Sequence, residues 1–215
     1  MLTFLPLVLD LVLQASARPQ VPRILYISRE FWKPGHEAAL NRIETEAARI
    51  CIGLGVPHPY LGMESLTGSK EVWYINGFAS TEELAQVTEA YSKKRELLAA
   101  MTRFAQQRTE FKSQPDSQGL ARYRPELSRG AEWEMGEQPF LVITVTKGNP
   151  QSDGTVFENE DGARFVVAGA KTRMEADGKL SAAGPDAKIF AVRREFSMPA
   201  AEWVASDPLF WDSEP

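Results

Sequence analysis

What most constrains this chain is the order in which two periodicities follow one another. From Arg23 to Trp32 the sequence is rich in Ile, Tyr, Phe and Trp and reads as a strand, which Pro34-Gly35 then breaks. Leu40, Ile43, Ala47, Ile50, Cys51 and Leu54 recur at three- and four-residue steps, so they share one face of a helix that Gly53 or Gly55 can end. Tyr60 to Leu66 and Glu71 to Phe78 flank the polar connection Thr67-Gly68-Ser69-Lys70 and read as a hairpin. Ser80 with Glu83 makes a capping box for a second helix running to Phe111, with the stripe Leu84, Val87, Tyr91, Leu98, Met101 and Ala105. Gln114 to Gly119 breaks the pattern before a strand at Leu120 to Tyr123. Because connections of this kind are right-handed, both helices belong on one face of one antiparallel sheet.

The second half is strand-rich. Phe140 to Thr146, Arg164 to Thr172 and Lys188 to Phe196 are apolar or β-branched runs, and Asp153-Gly154, Asp161-Gly162 and Asp177-Gly178 mark turns between them. A short amphipathic piece follows at Pro199 to Ala205. Leu25 and Ile27 match Leu141 and Ile143 at an offset of 116, and Lys70 and Phe78 match Lys188 and Phe196 at 118. This second half has no counterpart of the Pro34 to Gly53 helix. The expectation is an α+β chain: a ferredoxin-like β-α-β-β-α-β unit at 23–127, then a degenerate second ferredoxin-like unit at 138–211, together forming an α+β barrel.

Composition narrows the function. With 24 basic and 29 acidic residues the net charge is -5, so no broad basic surface exists to release counterions from nucleic acid. The single cysteine, Cys51, rules out an intrachain disulfide and falls on a core face, and two histidines leave too few soft ligands for a structural zinc site. The acidic loop with Asp153, Glu158, Glu160 and Asp161 lacks EF-hand spacing. Residues 2–13 are apolar but for Thr3, Pro6 and Asp10 and precede Ala15-Ser16-Ala17, the pattern of a signal peptide over 1–17, although no basic residue precedes the apolar run. Cleavage there gives a mature chain starting at Arg18 that is exported to the periplasm or outside the cell; the alternative is an uncleaved amphipathic N-terminal helix or a mis-assigned start, with the protein cytoplasmic. The run is short of the ~20 residues of a membrane span.

The stretch Arg29-Glu30-Phe31-Trp32-Lys33-Pro34-Gly35-His36-Glu37 resembles the strand-to-helix junction of the dimeric α+β barrel proteins, including the antibiotic-biosynthesis-monooxygenase-like and NIPSNAP-like groups. The resemblance covers about Arg23 to Tyr123, and the second half only weakly. It implies two ferredoxin-like sheets paired in a dimer or a tandem chain, around a barrel that often holds a small hydrophobic molecule. Some members are cofactor-independent monooxygenases, some bind or degrade haem, and many have no known activity. Such a likeness speaks to fold more than to function.

Strand alternation then nominates residues. If Leu25, Ile27 and Phe31 face the helices, Tyr26, Ser28, Glu30 and Trp32 face into the barrel. On the hairpin Glu64 joins them, with either Tyr74 and Asn76 or Trp73; alternation alone does not fix which. An aromatic pocket with a few polar groups suits a small hydrophobic ligand. Glu30 is the acid that would accept a proton there, unless an arginine such as Arg122 or Arg124 holds it as a structural pair. His36 sits in the first turn of its helix, and His58, fixed between Pro57 and Pro59, is the other candidate base or haem ligand. No cofactor or metal is called for by any motif. Two readings follow: a small-molecule-binding barrel, in its enzymatic form monooxygenase-like, or a non-catalytic binding or assembly protein whose barrel its own side chains fill. An enclosed cavity separates them.

Overall fold

The computed structural model describes residues 21–212; the expected signal segment and the start of the mature chain lie outside them. The first half runs β1 (Ile24–Trp32), α1 (Glu37–Gly53), β2 (Leu61–Ser65), β3 (Glu71–Phe78), α2 (Thr81–Ser92), α3 (Arg95–Arg108) and β4 (Lys112–Tyr123). The second runs β5 (Phe140–Thr146), β6 (Thr155–Asn159), β7 (Arg164–Ala170), α4 (Arg173–Ala183) and β8 (Ala187–Val192), then the short α5 (Ala201–Ser206) and α6 (Pro208–Trp211).

The eight strands close into one antiparallel barrel in the order β1-β3-β2-β8-β5-β7-β6-β4. Cut at its two seams, the barrel gives β4-β1-β3-β2 and β8-β5-β7-β6, the same order twice. The seams are short: Met63 to Ser65 of β2 pair with Val192 to Phe190 of β8, and Ala121 to Tyr123 of β4 with Asn159 to Phe157 of β6. One chain thus closes the barrel by itself. Among the described residues no helix is long and apolar enough to cross a membrane.

Two capping boxes mark the repeat. Ser80 accepts from the Glu83 amide and the Glu83 carboxylate from the Ala79 amide; Thr172 accepts from the Glu175 amide and the Glu175 carboxylate from the Lys171 amide. The offset between the halves is 116 at Leu25 and Leu141, yet 92 at Ser80 and Thr172. The difference, about two dozen residues, accounts for the 17 residues of α1 and its entry turn, which the second half omits. The match of Lys70 and Phe78 with Lys188 and Phe196 is a coincidence of composition, because β3 corresponds to β7 in the strand order and not to β8.

The barrel is full. Leu25, Ile27, Met63, Trp73, Leu141 and Phe157 belong to one interior cluster with Phe165 and Phe190. The rings of Trp73, Phe165 and Phe190 meet at 5.0–6.0 Å. Trp133, Met135, Trp203 and Trp211 join the same cluster from the segments before β5 and after β8. Trp211 Nε1 donates to the Gly136 carbonyl at 3.1 Å. Gly136, at φ +90°, is required there, since a Cβ would come within 2.3 Å of the Trp203 indole.

A second cluster lies outside the first sheet, where Trp32 and Val72 meet Leu40, Ile43 and Ala47 of α1 and Leu97, Ala100 and Phe104 of α3. Both helices are therefore on one face, as expected. The single long helix is instead broken at Lys93-Lys94, where Lys94 leaves helical geometry. The break shifts the apolar stripe by one position, so Leu97, Ala100 and Phe104 are buried while Leu98 and Met101 are exposed. The expected breaker Gln114 to Gly119 is inside β4; Pro115 lies where the β1–β4 register slips between Arg29 and Phe31, and needs no ladder donor.

Candidate functional site

Alternation along β1 is regular, but its faces are the reverse of the expectation. Leu25 and Ile27 point into the barrel and Trp32 into the helix layer. The interior of a barrel closed within one chain is mostly apolar, and Arg29 of β1 enters it over the Trp73 ring paired with Glu71 at 3.0 Å; the other polar side chains of β1 belong on the side where helices supply partners.

The nominated residues accordingly sit on the helix side. The Tyr26 hydroxyl donates to Gln118 Oε1 at 2.8 Å. Ser28 is half-buried between Tyr74 of β3 and Gln118 of β4 in the sheet register. Glu30 is buried against Lys112 Nζ at 2.5 Å and Arg108 Nη1 at 3.4 Å. Its cations thus come from α3 and the start of β4, in place of the expected Arg122 or Arg124. Trp32 stacks on Phe111 at 6.0 Å. Glu64 pairs with Lys70 and Arg193, and Asn76 donates to the Pro59 carbonyl at 3.1 Å. The Tyr74 hydroxyl donates to Glu44. His58 packs on Phe78 at 4.7 Å and places Nε2 3.4 Å from Glu83, in contacts that fix a loop.

These placements bring Glu30 and Tyr74 together with two residues that the strand argument did not reach, Glu44 and Arg108. Arg108 Nη2 donates to Glu44 Oε2 at 2.7 Å. Burial pushes the Glu44 carboxyl up to about 7, with Arg108 and the Tyr74 hydroxyl opposing and Glu30 adding to the rise. Burial alone would lower the Arg108 guanidinium, but Glu44 and Glu30 more than offset it and the net direction is upward. A signal for this pair existed. Glu44 follows Leu40 by one turn on the apolar stripe of α1, and Arg108 follows Phe104 by one turn on that of α3.

Open space lies elsewhere. The outer face of β5 and β7, where a counterpart of α1 would sit, carries a groove of about 450 Å³. Its floor is Val142, Thr144, Val166 and Ala168; α4 forms one wall with Lys179, Ala182 and Ala183, and the segments around Trp133 and Asp153 form the other. The groove is thus the direct consequence of the missing helix. Lys179 is engaged along the wall, donating to the Gly169 carbonyl at 2.5 Å and pairing with Glu175 at 3.0 Å. Glu132, on the far side, accepts from the Tyr123 hydroxyl at 2.6 Å. A second recess, of about 30 Å³, lies at the β4–β6 seam beside Arg29 and Phe165 and has the volume of roughly one water. No nominated residue lines the larger groove. Among the described residues no group of three or more His, Cys, Asp or Glu is arranged to hold a metal ion.

No protein-family model and no curated protein matches the sequence. Solved structures do match. A putative monooxygenase from Fusobacterium nucleatum superposes with a TM-score of 0.50 at 12% identity, over 80% of this chain and 93% of that one. The chain shares the α+β barrel fold of that structure. A putative monooxygenase from Lactobacillus acidophilus (7% identity, TM-score 0.43, 81% and 94% covered) and an anthrone oxidase-like protein (12%, 0.45, 80% and 92%) align more loosely. At such identities the likeness reaches the barrel and stops short of its chemistry.

Proposed function

We propose that this α+β barrel protein binds a small molecule, and that it does so in the groove over β5 and β7 rather than in the barrel lumen. The observation that carries this reading is the pairing of a packed lumen with a 450 Å³ groove on the one sheet face that lacks its helix. That volume falls within the range of roughly 300–1,000 Å³ common to small-molecule sites. Its apolar floor and polar rim suit a small hydrophobic ligand. The nominated set Tyr26, Ser28, Glu30, Trp32, Glu64, Tyr74 and Asn76 then serves to hold helices to the first sheet, and Glu30 and His58 are structural. The barrel is an intrachain pseudo-dimer, and export after cleavage of residues 1–17 is part of the same reading.

Native mass spectrometry of protein purified from its source tests it. The expected result is a retained mass that disappears in Ala168→Trp, whose indole fills the groove floor. A retained mass unaffected by that substitution would place the ligand elsewhere and reject the groove. Monooxygenase-like action, which the description of the Fusobacterium structure suggests, is the second reading. Oxygen uptake with the released molecule separates it from binding alone.

A further inference from the structure

Where β4 parts from β6 the barrel wall opens onto the recess of about 30 Å³, room for one water or one ion of similar size. Partners directly opposite in an antiparallel ladder share a face. Ile27 and Ala121 belong to the interior cluster, so Gly119 opposite Ile27 and Asn159 opposite Ala121 look towards the lumen, as does Ser117 opposite Arg29. A Cβ at Gly119 would meet nothing within 4 Å, so the recess is the space this residue leaves empty. Arg29 reaches it from β1, with its guanidinium over the rings of Trp73 and Phe31 at 4.6 and 5.1 Å. Its Nη2 donates to Glu71, whereas Nε has no hydrogen-bond partner among the described residues. Asn159 Oδ1 accepts from the Ala163 amide at 2.8 Å, which leaves Nδ2 as the donor end of that side chain.

Charge points the same way. Glu71 is shared by Arg29 and Lys188, one carboxylate for two cations, and no acidic residue lines the recess. Burial would raise the Glu71 carboxyl, but Lys188, Trp73 and Arg29 hold it below the ordinary carboxylate range, so it stays ionised. What completes this place must accept hydrogen bonds and bring negative charge. A water brings two hydrogens of its own to side chains that offer donors, whereas a halide accepts from every side and brings none. We infer that the recess is a binding site for one monovalent anion of halide size, held by the Arg29 guanidinium with the Asn159 amide and the Ser117 hydroxyl as further donors. It is separate from the groove over β5 and β7 and does not depend on what that groove binds.

Sodium bromide, exchanged for sodium gluconate at constant ionic strength, tests it on the full chain, because gluconate is too large to enter. The wild type should show a saturating rise in melting temperature, about 3–6 °C at bromide tenfold above its dissociation constant. Crystals grown in bromide should show an anomalous scattering peak beside the Arg29 guanidinium. Gly119→Val fills the recess on a strand that accepts β-branched residues, and should lose both the peak and the saturating shift. Asn159→Asp keeps the acceptor for the Ala163 amide, sets a carboxylate beside Arg29, and should lose them too; it carries the test if the first variant does not fold. Equal melting in the two salts with no peak at Arg29 would overturn the site and leave a water there. A peak or a saturating shift that survives in a folded variant would overturn the assignment to this recess.

Discussion

Glu44 shows how one residue ties the helix layer to pH. Its carboxyl is 1% exposed, receives the Tyr74 hydroxyl and Arg108, and faces the charges of Glu30 and, beyond it, Lys112. With a folded value near 7 against an ordinary 4.5, the folded protein keeps a proton that the unfolded chain has already lost. Stability from this group is therefore fully present below about pH 4.5 and declines as pH rises towards 7, by at most about 3 kcal/mol. Glu44→Gln mimics the protonated form at every pH. Urea unfolding between pH 4.5 and 7.5 should show the wild type losing stability relative to the variant across that window, and parallel curves would refute the assignment. The pair was legible in principle as an acid and a base on two apolar stripes, but their meeting depends on how α1 and α3 cross, which helical period does not contain.

At the level of elements, the second capping box has consequences beyond its own helix. Thr172 and Glu175 fix the start of α4, and α4 is the groove wall that carries Lys179, Ala182 and Ala183. Removing the cap by Thr172→Ala should cost about 1 kcal/mol and loosen the wall. The expected readout is a modest fall in melting temperature together with loss of the retained ligand mass, while Ser80→Ala, the matching change on α2, lowers stability and leaves that mass in place. Unchanged binding in Thr172→Ala would show that the groove does not depend on the α4 cap. The expected boundaries erred at Lys93-Lys94 for a related reason. Apolar spacing in α2 and α3 can be joined through Leu98 and Met101, and only packing against α1 selects Leu97, Ala100 and Phe104.

For the whole molecule, the lumen is occupied by protein and the binding volume lies outside it. Trp73 sits at the centre with Phe165 and Phe190, held by a hydrogen bond from its indole to Glu71 at 2.7 Å. Trp73→Ala should cost about 3–5 kcal/mol and open a cavity between Phe165, Phe190 and the Arg29–Glu71 pair. Xenon or benzene should then enter the variant's barrel and not the wild type's, as followed by crystallography under gas pressure; entry into both would mean that the natural lumen is accessible. The sequence by itself determined the class of fold and the strand-helix order of the first half. It also determined the absence of a first helix in the second half, because turn residues, caps and periodicity are local properties. It also supplied the alternation along β1. Which face of that strand looks inward was decided by tertiary structure alone, since barrel closure depends on β2 meeting β8 and β4 meeting β6 across long stretches of chain. That closure leaves a lumen that is apolar but for the Arg29–Glu71 pair and sends Glu30 to cations on α3 and β4, and the omitted helix leaves open the groove over β5 and β7. Side-chain period fixes that two faces exist; only the packing of the rest of the chain says which of them water, a helix or a ligand will meet.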